Sequence, residues 1–218
     1  MGYPKVFAID GTVASGKSSV GRALAVLLGY RFVDTGLFYR ALAFCAIQKK
    51  IESTDQLALI EMARITKFSL SPDGEKIFLG NDDISAELRS PQVEKIVSAI
   101  AKIPGVRQEL LAVQRAIANQ GNVVMVGRDI GSKIVPDAAK IFLTATIEER
   151  ARRRFVELKD RGFSVTEEMV KKDVVARDKQ DVEREEDPLI VADGAIVISA
   201  TNMTISEVTE LIIEKFSN

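Results

Sequence analysis

Histidine is absent from the 218 residues, and cysteine occurs once, at Cys45. Without histidine there is no imidazole proton shuttle, no histidine-activated nucleophile and no histidine metal ligand. A single cysteine excludes an internal disulfide and a multi-cysteine metal site, leaving Cys45 to serve as a small apolar residue on a helix. An excess of one charge is missing too. Thirty Lys and Arg against 31 Asp and Glu leave a net charge of −1, so no global field marks a nucleic-acid or membrane binder. The apolar runs over 23–28 and 41–47 are far shorter than the about 20 residues that span a bilayer. The Met1-Gly2 start invites a lipidation check, but Val6 stands where myristoylation needs Ser or Thr. The chain enters its first strand directly, so no signal peptide is expected and the expected location is cytoplasmic. Whatever chemistry occurs must run on Lys, Arg, Asp, Ser and a bound metal.

What is present is a phosphate-binding loop. Gly11-Thr12-Val13-Ala14-Ser15-Gly16-Lys17-Ser18 fills every fixed position of G-x-x-x-x-G-K-[ST]. An apolar run over 6–9 precedes it as a buried strand, and 19–28, opened by Ser19, follows as a helix with Val20, Ala23, Leu24 and Leu27 on one face. Gly11 and Gly16 let the backbone turn its N–H groups onto phosphate oxygens, and the helix start directs its positive end at the same anion. Lys17 adds a cation for the β- and γ-phosphates; the Ser18 hydroxyl is a Mg²⁺ ligand in this pattern. The loop implies a bound nucleoside triphosphate.

Strand and helix patterns alternate from there. Strands are expected over 31–34, 122–126, 140–145 and 195–199. Helices are expected over 37–47, 55–64, 91–101, 104–118, 147–158, 166–180 and 205–216, with a turn at Thr35-Gly36. Ser71-Pro72-Asp73-Gly74 separates short apolar patches, so 66–86 reads as a small antiparallel insert. This alternation predicts an α/β fold, a central parallel sheet with helices on both faces. Its ligands then sit beyond the carboxyl ends of the strands, where the phosphate loop, Asp34-Thr35-Gly36 and Gly127-Arg128-Asp129 should converge.

Arginine beyond the loop is the informative excess: Arg40, Arg107, Arg128, the 150–154 group, Arg177 and Arg184. Guanidinium groups gathered at a phosphate crevice suit a second phosphorylated substrate, although a run such as 150–154 also suits a solvated helix face. The order of motifs sharpens this. Ile9-Asp10-Gly11, Asp34-Thr35-Gly36-x-x-Tyr39-Arg40, Gly127-Arg128-Asp129-Ile130-Gly131, Glu148-Glu149-Arg150-Ala151-x-Arg153-Arg154 and Arg177-Asp178-x-x-Asp181-x-x-Arg184 follow one another along essentially the whole chain. Together they resemble the bacterial cytidylate kinases, a branch of the nucleoside monophosphate kinases.

That resemblance implies a phosphate-loop nucleoside monophosphate kinase fold forming one domain over 1–218. The core would cover about 1–34, 90–147 and 174–218, a CMP-binding lobe with the insert about 35–89, and a helical lid about 148–173. It implies transfer from ATP, with Mg²⁺, to CMP or dCMP, by a monomer with no nucleic-acid or membrane partner. Residue by residue, Thr35, Arg40, Arg128 and Arg184 would hold the acceptor phosphate, Arg177 and Asp181 the sugar, and Ser98, Arg107 and Asp129 the cytosine. Arg150, Arg153 and Arg154 would lie on or beside the lid, with Lys17, Arg128 and Arg153 acting on the transferring phosphoryl. Asp129 as an acceptor would suit the cytosine amine and repel the carbonyl oxygen of uracil.

Plainer roles stand beside these: Asp34 as a strand-end cap, Asp129 as an ion partner of Arg128, and Arg177 and Arg184 on one helical face pairing with Asp173 and Asp181. The chain also departs from the usual family pattern at Thr12-Val13, Val126, Ser132, Gln180 and Val182. A kinase of this fold acting on AMP, UMP, shikimate or dephospho-coenzyme A is one rival reading. A nucleotide-gated module without turnover is another.

Overall fold

The computed structural model describes residues 2–217; Met1, half of the lipidation motif considered above, lies outside them. In chain order the elements are β1 (Val6–Gly11), α1 (Lys17–Leu28), β2 (Arg31–Asp34), α2 (Gly36–Gln48), α3 (Gln56–Ile65), β3 (Phe68–Leu70), β4 (Ile77–Leu79) and β5 (Asp82–Asp83), then α4 (Pro91–Ile100), α5 (Pro104–Ala118), β6 (Val123–Val126), β7 (Ala139–Thr144), α6 (Ile147–Asp160), α7 (Glu167–Val182), β8 (Ile196–Ser199) and α8 (Ile205–Phe216). A 3₁₀ turn at Glu87–Arg89 and a π-helical turn at Ile130–Ile134 complete the order. Neither turn is visible in the hydrophobic periodicity.

The chain divides into two compact units, Met1–Tyr30 with Val124–Asn218, and Arg31–Val123. In the first, β6-β1-β7-β8 are four consecutive strands of a five-stranded sheet. β1 runs parallel to β7, Phe7 opposite Ala139 and Gly11 opposite Leu143, and β7 runs parallel to β8. Phe7, Ala8 and Ile9 of β1 and Val124 and Met125 of β6 are completely buried. Continuous apolar strands of this kind are what a parallel sheet covered on both faces requires. α1 packs on α8 and α6 on α7, while Phe7 meets the Phe216 ring edge-on at 5.5 Å. At the end of β1, a Cβ on Gly11 would lie 1.9 Å from the Leu143 carbonyl oxygen, so only glycine fits where the phosphate loop leaves the sheet.

The second unit holds β2, helices α2 to α5 and the antiparallel sheet β3-β4-β5. The insert expected over 66–86 is therefore present, with Phe68 opposite Leu79 and Phe78 opposite Asp83. Its first turn closes on β2: the Phe32 N–H donates to the Asp73 carbonyl, and Gly74 lies directly against the Phe32 carbonyl. That contact occupies backbone groups which a bare strand would leave unpaired. The turn expected at Thr35-Gly36 is instead the start of α2. Asp34 Oδ1 accepts the Gly36 N–H at 3.0 Å, which bends the chain straight from strand into helix.

Candidate active site

The phosphate loop joins the end of β1 to the start of α1. Gly11, Ala14 and Gly16 all have positive φ, at 147°, 57° and 98°. Lys17 is buried, and its Nζ donates to the Thr12 carbonyl at 2.6 Å and to Ser15 Oγ at 3.4 Å. The ammonium is thereby held across the mouth of the loop that an anion would enter. Ser18 sits half-buried in the first turn of α1 and Ser19 is exposed. Thr12 Oγ1 lies 3.4 Å from Thr144 Oγ1 on β7.

Helices α6 and α7 grip this loop by its backbone. Asp178 Oδ1 accepts the Val13 N–H at 2.9 Å, and Arg150 Nη1 donates to the Val13 carbonyl at 3.0 Å and to Asp178 Oδ2. Arg150 Nε donates to the Ala145 carbonyl at 2.9 Å, and only 4% of the residue is exposed. Val13 itself packs with Val170 and Val174, flanked by Phe155, Leu158 and Val165. The Val13 N–H is thus committed to protein rather than turned toward a phosphate. Arg153 donates from Nη1 to the Ser15 carbonyl at 3.3 Å and from Nη2 to the Ala200 carbonyl at 2.7 Å, while its Nε pairs with Glu149. Arg152, which is exposed, and Arg154, which is half-buried, pair with Glu149 and Glu157 three residues away on α6. The basic run therefore divides: Arg150 and Arg153 reach the loop, while Arg152 and Arg154 hold local ion pairs.

Beyond β6, the Gly127 N–H donates to the Ile9 carbonyl and ties the Gly127-Arg128-Asp129 segment to β1. Arg128 donates from Nε to Asp181 at 2.7 Å and from Nη1 to the Gly127 carbonyl. An ion partner of Arg128 is thus Asp181 on α7. Asp129 is buried at the entrance to the π-helical turn. Asp10 lies beneath it and accepts the Ile130 N–H on one oxygen at 2.8 Å and the Gly131 N–H on the other at 2.7 Å. Burial dominates at Asp10 and raises its carboxyl to about 6, against the two backbone N–H groups and the Lys17 charge, which lower it. Arg177 is half-buried near the end of α7. That helix stops at Val182, so Arg184 does not share its face. Instead Arg184 donates to the Glu186 and Asp187 carbonyls in the following loop.

In the second unit Thr35 is buried at the head of α2 and its side chain does not cap that helix. Arg40 donates to Glu94 on α4 at 3.0 Å and to the Leu88 carbonyl at 3.1 Å. Ser98 is half-buried one turn beyond Glu94. Arg107, 6% exposed, donates to the Ala101 carbonyl and lies over the Tyr39 ring at 5.7 Å. The unit thus holds Thr35, Arg40, Ser98 and Arg107, whereas the phosphate loop, Arg128, Asp129, Arg153, Arg154, Arg177, Asp181 and Arg184 belong to the first.

Four contributors are not legible as such in the sequence: Asp10 and Asp178, which lie inside the motifs, Arg150, which the resemblance puts on or beside the lid, and Glu94. The available signal was a carboxylate inside the buried run Phe7-Ala8-Ile9-Asp10, a position that demands partners. Among the described residues no group of three Asp, Glu, Cys or His side chains could hold a metal ion, and no helix is long and apolar enough to cross a membrane.

Residues 7–218 match the family model described as cytidylate kinase. A cytidylate kinase from Caldanaerobacter subterraneus subsp. tengcongensis is 45% identical, covering 95% of this chain and 92% of that protein. One from Pelotomaculum thermopropionicum is 43% identical over 99% and 96%. Among solved structures, a shikimate kinase from Bacteroides thetaiotaomicron superposes with a TM-score of 0.51 at 11% identity, over 98% of each chain. An uncharacterized protein from Eubacterium ventriosum gives 0.54 at 15% identity, over 97% of each. These two likenesses bear on the fold alone. The family follows from the match over nearly the full length and from the relatives above 40% identity: the chain belongs to the cytidylate kinase family.

Proposed function

We propose that the protein transfers the γ-phosphoryl group of ATP to CMP or dCMP, giving ADP and CDP or dCDP. The observation that carries this reading is the complete phosphate loop, with Lys17 drawn across its mouth, in a chain matching cytidylate kinases over residues 7–218. ATP phosphates would lie on Gly11 to Ser19, with Lys17, Arg153 and Arg154 supplying positive charge. On the acceptor side, Thr35, Arg40, Arg128 and Arg184 would take the CMP phosphate, Arg177 and Asp181 the sugar, and Ser98, Arg107 and Asp129 the base. The core, the CMP-binding lobe and the lid over about 148–173 form part of the same reading.

The acceptor is a phosphate oxygen that is already nucleophilic, so the absence of histidine is no obstacle. Catalysis then reduces to in-line positioning and charge stabilisation. A hard divalent cation suits the Ser18 hydroxyl, because Mg²⁺ keeps several waters and takes few protein oxygens beside substrate phosphates. When bound, Mg²⁺ would neutralise charge on the phosphates. One chain supplies both donor and acceptor residues, so a monomer suffices, and the cytoplasm is the proposed location.

A coupled ADP-release assay across CMP, dCMP, UMP, AMP and shikimate tests the reading. CMP or dCMP should be the best acceptor, and CMP no better than AMP would overturn it. Lys17→Ala should lower turnover by about 10²- to 10³-fold or more while thermal unfolding stays near that of the parent protein.

A further inference from the structure

Asp178 and Asp181 lie three residues apart on α7, which puts both carboxylates on one face, about 4.5 Å apart along the helix axis. Like charges at that spacing repel each other. Each is compensated from a different element. Asp178 accepts from Arg150 of α6 and, at 2.9 Å, from the Val13 N–H of the phosphate loop. Asp181 accepts at 2.7 Å from Nε of Arg128, in the segment that follows β6. Its carbonyl also accepts the Leu189 N–H at 2.8 Å, so the chain leaving α7 folds back onto the same residue. The two carboxylate side chains are 19% and 24% exposed, so neither contact is a freely solvated surface pair. A single turn of α7 thus touches both the loop assigned to ATP and an arginine assigned to the acceptor phosphate.

We propose that this turn of α7 is a strut that sets the separation between the phosphate loop and Arg128, with Asp178 its positioning residue at the donor end and Asp181 at the acceptor end. The inference rests on the reading of Arg128 as a ligand of the acceptor phosphate. Phosphoryl transfer asks little covalent chemistry of the protein, so its rate depends on placement, and an error of about 1 Å costs about 10²-fold. A hydrogen-bonded helical turn is a short, stiff spacer between two such groups. The loop itself turns through left-handed backbone at Ala14 and Gly16. Its Val13 peptide is placed by contacts from outside, and α7 supplies one of them.

The test compares two double variants in the turn between the carboxylates, where Lys179 and Gln180 are exposed. Lys179→Gly with Gln180→Gly loosens the turn; Lys179→Ala with Gln180→Ala removes the same side chains and favours the helix. Both variants keep Asp178 and Asp181. The glycine pair should lower kcat for ATP and CMP by about threefold or more relative to the alanine pair, with each KM within about twofold. Equal kcat values would overturn the proposal. Asp178→Asn, which keeps an oxygen for the Val13 N–H but loses the charge facing Arg150, should lower kcat about tenfold and leave the KM for CMP within about twofold. A parental kcat, or an effect confined to KM, overturns the proposal as well. If that variant fails to fold, the glycine–alanine comparison decides, because it leaves both ion pairs intact. Failure of the acceptor reading has its own signature: Arg128→Ala with an unchanged KM for CMP removes Arg128 from the acceptor site, and the strut falls with it.

Discussion

Arg150 and Asp178 close on a single peptide unit of the phosphate loop. Val13 donates its N–H to the aspartate and accepts at its carbonyl from the arginine, and the two side chains pair with each other. The clasp links α6 and α7 to the loop with charge, and the packing of Val13 on Val170 and Val174 links them with apolar surface. Movement of these helices and the shape of the loop are therefore coupled through one residue.

Removing one partner of a buried ion pair leaves the other charged and desolvated. Asp178→Ala is expected to destabilise the protein by about 3–5 kcal/mol, as urea unfolding would report. In whatever fraction stays folded, ATP binding should weaken. A loss below about 1 kcal/mol would place the clasp among exposed, dispensable pairs.

Ala14 adopts a left-handed conformation that costs an L-residue about 1–2 kcal/mol. Glycine tolerates this φ but loses more backbone entropy on folding, by about 0.5–1 kcal/mol. Ala14→Gly should therefore raise stability by up to about 1 kcal/mol, measured as a higher urea midpoint at unchanged slope.

Gly74 gives the opposite case. Its φ is +77°, and a Cβ would stand 1.5 Å from the Phe32 carbonyl oxygen. Gly74→Ala must push the insert turn off β2, at a cost of about 2 kcal/mol or more. An unchanged melting temperature would show that the turn is not seated on that strand.

Arg40 is held by Glu94 before any ligand arrives. A charge-assisted hydrogen bond is worth about 1.5–3 kcal/mol, so Arg40→Ala should raise the KM for CMP by about 10- to 100-fold and leave that for ATP nearly unchanged. Glu94→Gln, which keeps the shape and removes the orienting charge, should give a smaller rise of the same kind. Equal effects on both substrates would take Arg40 out of the acceptor site.

Asp10 makes the pH dependence of stability specific. Its folded-state proton affinity is raised from 3.8 to about 6. Between those values the native protein keeps a proton that the unfolded chain has released, so this group's contribution falls as pH rises through the window and is level above it. The displacement corresponds to about 3 kcal/mol. Asp10→Asn, neutral throughout, should remove that decline when stability is compared with the parent protein from pH 4 to 7. Parallel curves would argue against a perturbed carboxyl.

The sequence determined the nucleotide loop, the alternation of strands and helices and the antiparallel insert, because each is written in local terms. Glycines lie where backbone meets phosphate, apolar runs mark buried strands, and Pro-Asp-Gly sits between short strands. It could also place Arg40, Arg128 and Asp129 in motifs. Only the tertiary structure decided which partner each charge takes. Arg128 meets Asp181 on a distant helix, Arg150 is buried under the loop, and α7 ends before Arg184. Those pairings join residues about 50 to 140 positions apart, and no local pattern encodes a distance of that kind. The capping of the Asp129 turn by Asp10 is the clearest instance. Both residues are plain in the sequence, but a buried carboxylate declares its acceptor role only when the strand and the turn are brought together and two N–H groups point at it.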